Sequence, residues 1–286
     1  MRLATVKHNG IEKAAIAAPH GLVLLETVNE SERMKWKAGI YELLVNGQLE
    51  DLSGWYRCGG EEKLLRLQAI ALEDAEYAPL YRTPRKIWGI GMNYVDDPVE
   101  LADMAPDEEP VSFMKPDTSL IGPGDPIMLP SESERVTAEA ELAVIIGKTC
   151  RNISEDDAPG AVAGYAAALD MTAADIHGRN ARYLTRSKSF DTFFSLGAEL
   201  VTADEVDRVT DLTVTTSLNG TVAGSGKVSH MKFSPWFLIS FHSHVMTLLP
   251  GDIILTGTPG AVVIRDGDRV DCLIDGFRQL SNPVTG

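Results

Sequence analysis

The sequence predicts a β-rich α+β protein: a larger strand-built unit preceded by a small α+β one. Three observations carry this. Short apolar or alternating runs, broken by turn residues, recur through most of the chain. Stretches with helical spacing are few. Strands and helices do not alternate regularly, which argues against a doubly wound parallel sheet. The 286 residues suffice for one large domain or two smaller ones, and for a core that needs no disulfides.

The elements follow in order. Residues 2–7, 13–18 and 21–25 read as strands, with Asn9-Gly10 as a two-residue hairpin turn between the first two. From Ser31 to Leu49, residues Met34, Ile40, Leu43 and Leu44 have helical spacing, and Ser31 stands where a cap belongs. Glu61 to Leu72 reads as a second helix. Tyr77 to Pro84 carries two prolines and no periodicity. The boundary is placed there, giving a small N-terminal α+β domain over 1–80 and a larger domain over 84–286. Strands are then expected at Lys86–Ile90, Pro126–Leu129, Ala138–Ile146, Val162–Asp170, Val209–Leu218, Ile253–Thr256 and Val270–Ile274. Asn219-Gly220 and Asp266-Gly267 supply turns. Helices are expected at Asp156–Ala161 and Pro235–Leu248.

Charge excludes several roles. With 26 basic against 41 acidic residues the net charge is −15. A nucleic-acid binder needs a basic footprint, and an anionic membrane would repel this chain. The three cysteines, Cys58, Cys150 and Cys272, are too scattered for a disulfide scaffold or a zinc site. They fit a reducing cytoplasm. No apolar run approaches a membrane span, and Met1 to Gly10 has no apolar signal core. Gly89-Ile-Gly91 lacks the third glycine of a dinucleotide fingerprint. His242 and His244, two apart on a helix, do not share a face for a metal.

The segment Thr137-Ala-Glu139-Ala-Glu141-Leu-Ala-Val-Ile-Ile-Gly147 carries the chemistry. On a strand, Glu139 and Glu141 project side by side just before an apolar run. Paired carboxylates beside a core repel one another, and a divalent cation that prefers oxygen ligands offsets the repulsion. The competing reading is a solvated strand edge. Asp170, ending the apolar run Val162–Leu169, favours the cation, because a lone carboxylate there needs a partner. Lys188, in Lys188-Ser-Phe-Asp191, is placed to bind a substrate carboxylate or to stabilise an enolate; the competing reading is a surface salt bridge.

With these residues in place, the chain resembles the fumarylacetoacetate hydrolase family over roughly Pro84 to Val284. The landmarks are Gly91-Met-Asn-Tyr94, Phe113-Met-Lys-Pro116, Glu139 to Gly147, Asp170-Met-Thr, Lys188-Ser-Phe-Asp191, Pro250 to Pro259 and Asn282-Pro-Val284. The N-terminal part resembles the small domain that precedes the catalytic region in many bacterial members. The resemblance implies a mixed β-sandwich roll, usually a homodimer, with magnesium or manganese held by Glu139, Glu141 and Asp170. It implies oxo acid substrates bound as metal chelates, with Lys188 assisting and Tyr94, Lys115 and Thr258 contacting substrate. The metal acts as a Lewis acid on an enolate.

The chain departs from the family pattern at several positions. Hydrolase members carry a water-activating histidine and glutamate where this chain has Asp97 and Glu100. Asp97 is a base only if burial or Glu100 raises its pKa. Otherwise the pair is a second cation site, or the start of a charged lid segment. The usual Asn and Arg around the metal aspartate are Leu169 and Ala174, and His177 replaces a glutamine. His177 is therefore a candidate acid–base group, and Arg179, Arg182 or Arg186 a candidate for the missing charge. Hydrolysis of C–C bonds in 2,4-dioxo acids stands first as the expected reaction. Oxo acid decarboxylation, keto–enol isomerisation and a catalytically silent binding protein are the alternatives.

Overall fold

The computed structural model describes residues 1–105 and 107–286. Strands β1 (Arg2–His8), β2 (Ile11–Ala18) and β3 (Gly21–Leu24) open the chain. Helices α1 (Leu25–Glu32), α2 (Ile40–Val45), α3 (Gln48–Trp55) and α4 (Glu61–Leu64) follow. Next come β4 (Glu76–Tyr77), β5 (Ile87–Gly91), β6 (Val111–Lys115), β7 (Leu120–Ile121), β8 (Ile127–Met128), β9 (Val136–Ile146) and β10 (Val162–Ala173). Helices α5 (Ala174–Arg179) and α6 (Leu184–Lys188) lead to β11 (Phe194–Leu196), β12 (Glu199–Thr202), β13 (Thr213–Leu218) and β14 (Thr221–Lys227). The chain ends with α7 (Pro235–Val245), β15 (Ile253–Leu255), β16 (Ala261–Ile264), β17 (Arg269–Ile274) and β18 (Leu280–Thr285).

The strands form two sheets. The larger has 13 strands, along the path β3-β2-β1-β12-β10-β9-β15-β5-β6 with β4, β7, β11 and β16 attached. The smaller has five, in the order β14-β13-β17-β18-β8. Most pairs are antiparallel; β15 runs parallel to β5, β11 to β7 and β18 to β8. This is the strand-rich α+β architecture the sequence predicts, and not a doubly wound sheet.

The centre is the pair β9 and β10, in register from Val162↔Ile146 to Ala173↔Val136. Both are largely apolar because both faces are covered, except at Glu139, Glu141 and Asp170 and the threonines beside them. One face, with Ala138, Ala140, Leu142, Val144 and Ile146, packs on Val214, Val270, Cys272 and Ile274 of the small sheet. The other, with Ala143, Ile145, Ala166 and Ala168, packs on Leu43, Leu44 and Leu52 from the N-terminal helices. Glu139 and Glu141 belong to this second face, beyond the reach of those helices.

Several sequence expectations are corrected. The single helix over 31–49 is three pieces. Ser31 lies in the last turn of α1, which stops where Arg33 turns left-handed at φ 57°. The Asn29 side chain then holds both the N–H and the carbonyl of Trp36, at 3.1 and 2.8 Å, so the intervening segment is not helical. The helix expected over 61–72 ends at Leu64, because Ile70 exchanges two backbone hydrogen bonds with Leu22. The strand expected from Val209 begins at Thr213, after a single helical turn. Helix α7 starts on a Ser234 cap, whose hydroxyl accepts from Phe237 N at 3.0 Å, and stops at Val245. Beyond it Leu248 pairs with Cys150. Both hairpin turns hold: Asn9-Gly10 and Asn219-Gly220 have positive φ at both positions.

Candidate metal and active site

The register of β9 against β10 sets Asp170 directly opposite Glu139, and Ala168 opposite Glu141. Residues opposed across an antiparallel pair share a face. The three carboxylates therefore converge, and one ligand oxygen from each lies within 4.8 Å of the others. Among the described residues this is the only such group of three. Glu141 and Asp170 are buried, and Glu139 is nearly so.

Two lysines face them. Lys188, at the end of α6, puts Nζ 2.7 Å from Glu139 Oε2 and 2.5 Å from Asp170 Oδ2. Lys115, on β6, reaches Asp170 Oδ1 at 2.6 Å and also donates to the Lys188 carbonyl. The Phe113 ring, also on β6, lies 4.7 Å from Lys188 Nζ. The N–H of Gly257 donates to Glu141 Oε2 at 2.6 Å. Gly257 has φ 93°, so glycine is the natural residue for this turn.

Three carboxylates face two ammonium groups, and the acids are unequally served. Burial pushes Asp170 up, but Lys115 and Lys188 outweigh it and hold it below the carboxylate range. Burial raises Glu139, with Lys188 opposing. Burial and the Asp170 charge push Glu141 well above the usual range, with only the Gly257 N–H among the nearby groups touching it directly. Burial lowers Lys115 in spite of Asp170. For Lys188 the carboxylates of Asp170, Glu139 and Glu141 override burial and raise it, so it stays an ammonium. Net negative charge and an all-oxygen donor set fit a hard divalent cation such as magnesium or manganese.

The remaining predicted residues fall into two groups. Tyr94 and Thr258 lie near the cluster. The Tyr94 ring lines the space beside Gly226, where an added Cβ would meet Pro259 at 2.7 Å and Tyr94 at 3.3 Å. The Tyr94 hydroxyl is buried without a hydrogen-bond partner. Burial, reinforced by Glu141, raises its pKa. Thr258 Oγ1 donates to the Gly260 carbonyl at 3.1 Å and sits on the loop leading to Ala261, which is paired with Glu139.

Asp97 and Glu100 do something else. They form a capping box on the 3₁₀ turn Pro98–Asp103: Asp97 Oδ1 accepts from Val99 N at 3.0 Å, and Glu100 Oε1 from Asp97 N at 3.2 Å. Both residues are exposed. His177 is half-buried in the last turn of α5, and its ring has no hydrogen-bond partner among the described residues. Arg179 pairs with Asp175 at 3.0 Å, whereas Arg182 and Arg186 are exposed.

Sequence reasoning passed over Asn93. It is fully buried, and its side chain donates to the carbonyls of Phe233 and Thr256 at 3.1 and 2.7 Å and accepts from Phe233 N at 2.9 Å. It thus clamps the Tyr94 loop to the segment before Gly257. The signal was an Asn inside an apolar run ending at Tyr94.

The family model described as fumarylacetoacetate (FAA) hydrolase C-terminal matches residues 86–285. The chain belongs to the fumarylacetoacetate hydrolase family. An uncharacterized protein of Archaeoglobus fulgidus is 39% identical, over 84% of this chain and 93% of that protein. A mitochondrial oxaloacetate tautomerase of Xenopus laevis is 41% identical, over 70% of this chain and 66% of its own length. Among solved structures, a maleylpyruvate hydrolase from Sphingobium sp. SYK-6 in complex with manganese(II) and pyruvate superposes with TM-score 0.81 at 30% identity. It covers 100% of this chain and 99% of its own. A 5-carboxymethyl-2-hydroxymuconate delta-isomerase from Mycobacterium smegmatis gives 0.77 at 29%, covering 100% and 98%. The family's enzymes thus include hydrolases, isomerases and tautomerases, and this member carries the acidic triad on its two central strands. Among the described residues no helix is long and apolar enough to cross a membrane.

Proposed function

We propose that this member of the family is a divalent-metal-dependent tautomerase or isomerase of 2-oxo acids, with oxaloacetate-like acids as substrates. One observation carries the reading: the two carboxylates at the positions of the family's water-activating pair are exposed and bonded to the backbone of a turn they cap. Keto–enol exchange needs no activated water. It needs an enolate held beside fixed positive charge, and Lys188 offers an ammonium raised by its acidic neighbours. A bound magnesium or manganese supplies Lewis-acid polarisation of the keto and carboxylate oxygens. Glu139, Glu141 and Asp170 would hold it. Lys115 fixes Asp170 and the Lys188 backbone, and so orients the ammonium. The half-buried imidazole of His177 is the group we assign to accept and return the C3 proton. The mitochondrial oxaloacetate tautomerase among the relatives supports the substrate class.

C–C hydrolysis of 2,4-dioxo acids is the second reading, favoured by the end-to-end structural match to a maleylpyruvate hydrolase. In both readings the protein works as a homodimer, with no nucleic-acid or membrane partner. The test follows the enol absorbance of oxaloacetate and of acylpyruvates with manganese or magnesium, with products read by NMR. Faster enol–keto exchange with no pyruvate-plus-acid cleavage is expected, and His177→Ala should slow exchange about a hundredfold. Cleavage of an acylpyruvate into two acids would overturn the tautomerase reading in favour of hydrolysis.

A further inference from the structure

Strand β9 loses a neighbour where it carries its two glutamates. On the edge away from β10, β15 pairs with it as far as Leu255↔Ala143, and β16 resumes at Ala261↔Glu139. Residues 256–260 leave the ladder between those points, so residues 140–142 of β9 face no strand there. Side chains take over the missing bonds. The Leu142 carbonyl accepts from Thr256 N at 3.2 Å and from Thr256 Oγ1 at 2.9 Å. The Ala140 N–H, between Glu139 and Glu141, donates to Thr216 Oγ1 at 3.0 Å. Thr216 comes from the other sheet: it lies on β13, opposite Cys272 of β17, and is fully buried. Its one hydroxyl proton goes to the Gly260 carbonyl at 2.9 Å.

The loop held in this way runs past the carboxylates. At one end the Gly257 N–H donates to Glu141, and at the other Ala261 pairs with Glu139. Thr258 lies between these ends and is half-buried. Its hydroxyl donates to the same Gly260 carbonyl, at 3.1 Å, and accepts from Gly260 N at 3.2 Å. The Gly260 carbonyl therefore has two donors, one for each lone pair, and keeps one when the other turns away. Thr216 is the fixed donor, because its oxygen is also tied to Ala140 N inside the core. The half-buried Thr258 hydroxyl is the one free to turn. The small sheet supports the loop from outside as well: a Cβ added to Gly260 would meet Gly224 Cα of β14 at 2.9 Å. Without Thr216, turning Thr258 toward a ligand would leave the Gly260 carbonyl unpaired, and that penalty would offset the bond gained.

We infer that Thr216 is a positioning residue of the carboxylate site. By serving the Gly260 carbonyl it frees the Thr258 hydroxyl to donate to the carboxylate of an oxo acid held at the Glu139–Glu141–Asp170 cluster. The inference rests on the proposed reading of that cluster as the oxo acid site.

The test is calorimetric, on the full chain loaded with manganese and with pyruvate as the probe. Thr216→Val keeps the shape of the side chain and removes the hydroxyl; Thr216→Ser keeps the hydroxyl. Manganese should bind Thr216→Val within about twofold of the wild type, because β10 still holds β9 along its other edge. Pyruvate should bind it about tenfold more weakly, as the loss of one hydrogen bond to a charged group predicts, and Thr216→Ser should bind near the wild-type level. Thr258→Val alone should weaken pyruvate by a similar factor, and adding Thr216→Val to it should change the affinity by less than about twofold, since the two act as one. Thr216→Ala, which leaves room for a water at the Ala140 N–H, carries the same comparison if Thr216→Val does not fold. Unchanged pyruvate affinity in the Thr216 variants, or losses that simply multiply with that of Thr258→Val, would overturn the inference. Manganese lost in step with pyruvate would overturn it too, in favour of a residue that only holds β9 in place. A wild type that takes manganese but not pyruvate would instead bring down the oxo acid reading itself, and this inference with it.

Discussion

At the scale of single residues, the site depends on polar groups that have one arrangement in which all are satisfied. Asn93 is the clearest case. Its amide closes three hydrogen bonds to backbone groups on two other segments, inside a fully buried environment. Removing it leaves a buried N–H and two carbonyls without partners, each costing about 1–3 kcal/mol. Asn93→Ala should therefore lower stability by about 3 kcal/mol, and the loop carrying Tyr94 should lose its fixed position. Denaturant unfolding measures the first effect, and substrate KM the second. A loss below about 0.5 kcal/mol, the range of ordinary surface substitutions, would show that the clamp is not what holds the loop. The acidic triad was legible in the sequence because strand alternation alone places Glu139 beside Glu141, and a carboxylate closing an apolar strand demands a partner. The role of Asn93 was not, because its partners lie 140 and 163 positions away. The use of Asp97 and Glu100 was also hidden: only the turn they cap explains them, although their i to i+3 spacing is that of a capping box.

At the scale of elements, β9 and β10 were readable because burial on both faces makes a strand a continuous apolar run. Strand β6 was not read, although it carries Phe113 and Lys115, since its burial alternates over only five residues. Strand β14, exposed or half-exposed throughout with glycines at 224 and 226, has no apolar pattern at all; pairing with β13 defines it. Helix α7 illustrates how an element is tied to the sheet. His242 is buried on it, with Nδ1 2.7 Å from the Leu238 carbonyl and Nε2 3.0 Å from Ser112 Oγ on β6. Nδ1 is then the donor, and Nε2 accepts from the serine. The Trp88 ring lies 4.6 Å from the imidazole. Burial lowers the His242 pKa below the ordinary 6.5, despite the Leu238 carbonyl. The unfolded chain thus binds a proton more readily than the native one. His242 contributes full stability above about pH 6.5, and that contribution is lost as pH falls through the lowered native pKa. Thermal melts of wild type and His242→Gln between pH 5 and 8 should diverge least at the acid end. A constant offset across the range would show that the imidazole binds its proton equally readily in the native and unfolded states.

At the scale of the whole molecule, the triad is coupled to global stability because its strands are the middle of the larger sheet. That sheet extends through β12 to β1, where Arg2 pairs with Val201 and the Met1 amine reaches Glu205 at 2.7 Å. The N-terminal segment is therefore joined to the carboxylate-bearing strands by a backbone ladder as well as by side-chain packing. Without a cation, Glu141 is a buried acid pushed well above its ordinary pKa, so at neutral pH its ionisation opposes folding. Glu141→Gln removes that charge and keeps an oxygen for the Gly257 N–H. In chelator the variant should melt at or above the wild type. With manganese at a hundred times its dissociation constant, the wild type should gain about 2.7 kcal/mol, or about 5 °C or more in Tm. The variant, one carboxylate short, should gain little, and the order of the two melts should invert. A variant that melts below the wild type in both conditions would mean that Glu141 serves the fold through its Gly257 contact. A variant that gains as much from manganese would place the cation elsewhere. Inversion is the result expected only of a site whose acids are arranged for an ion at the expense of the apo fold.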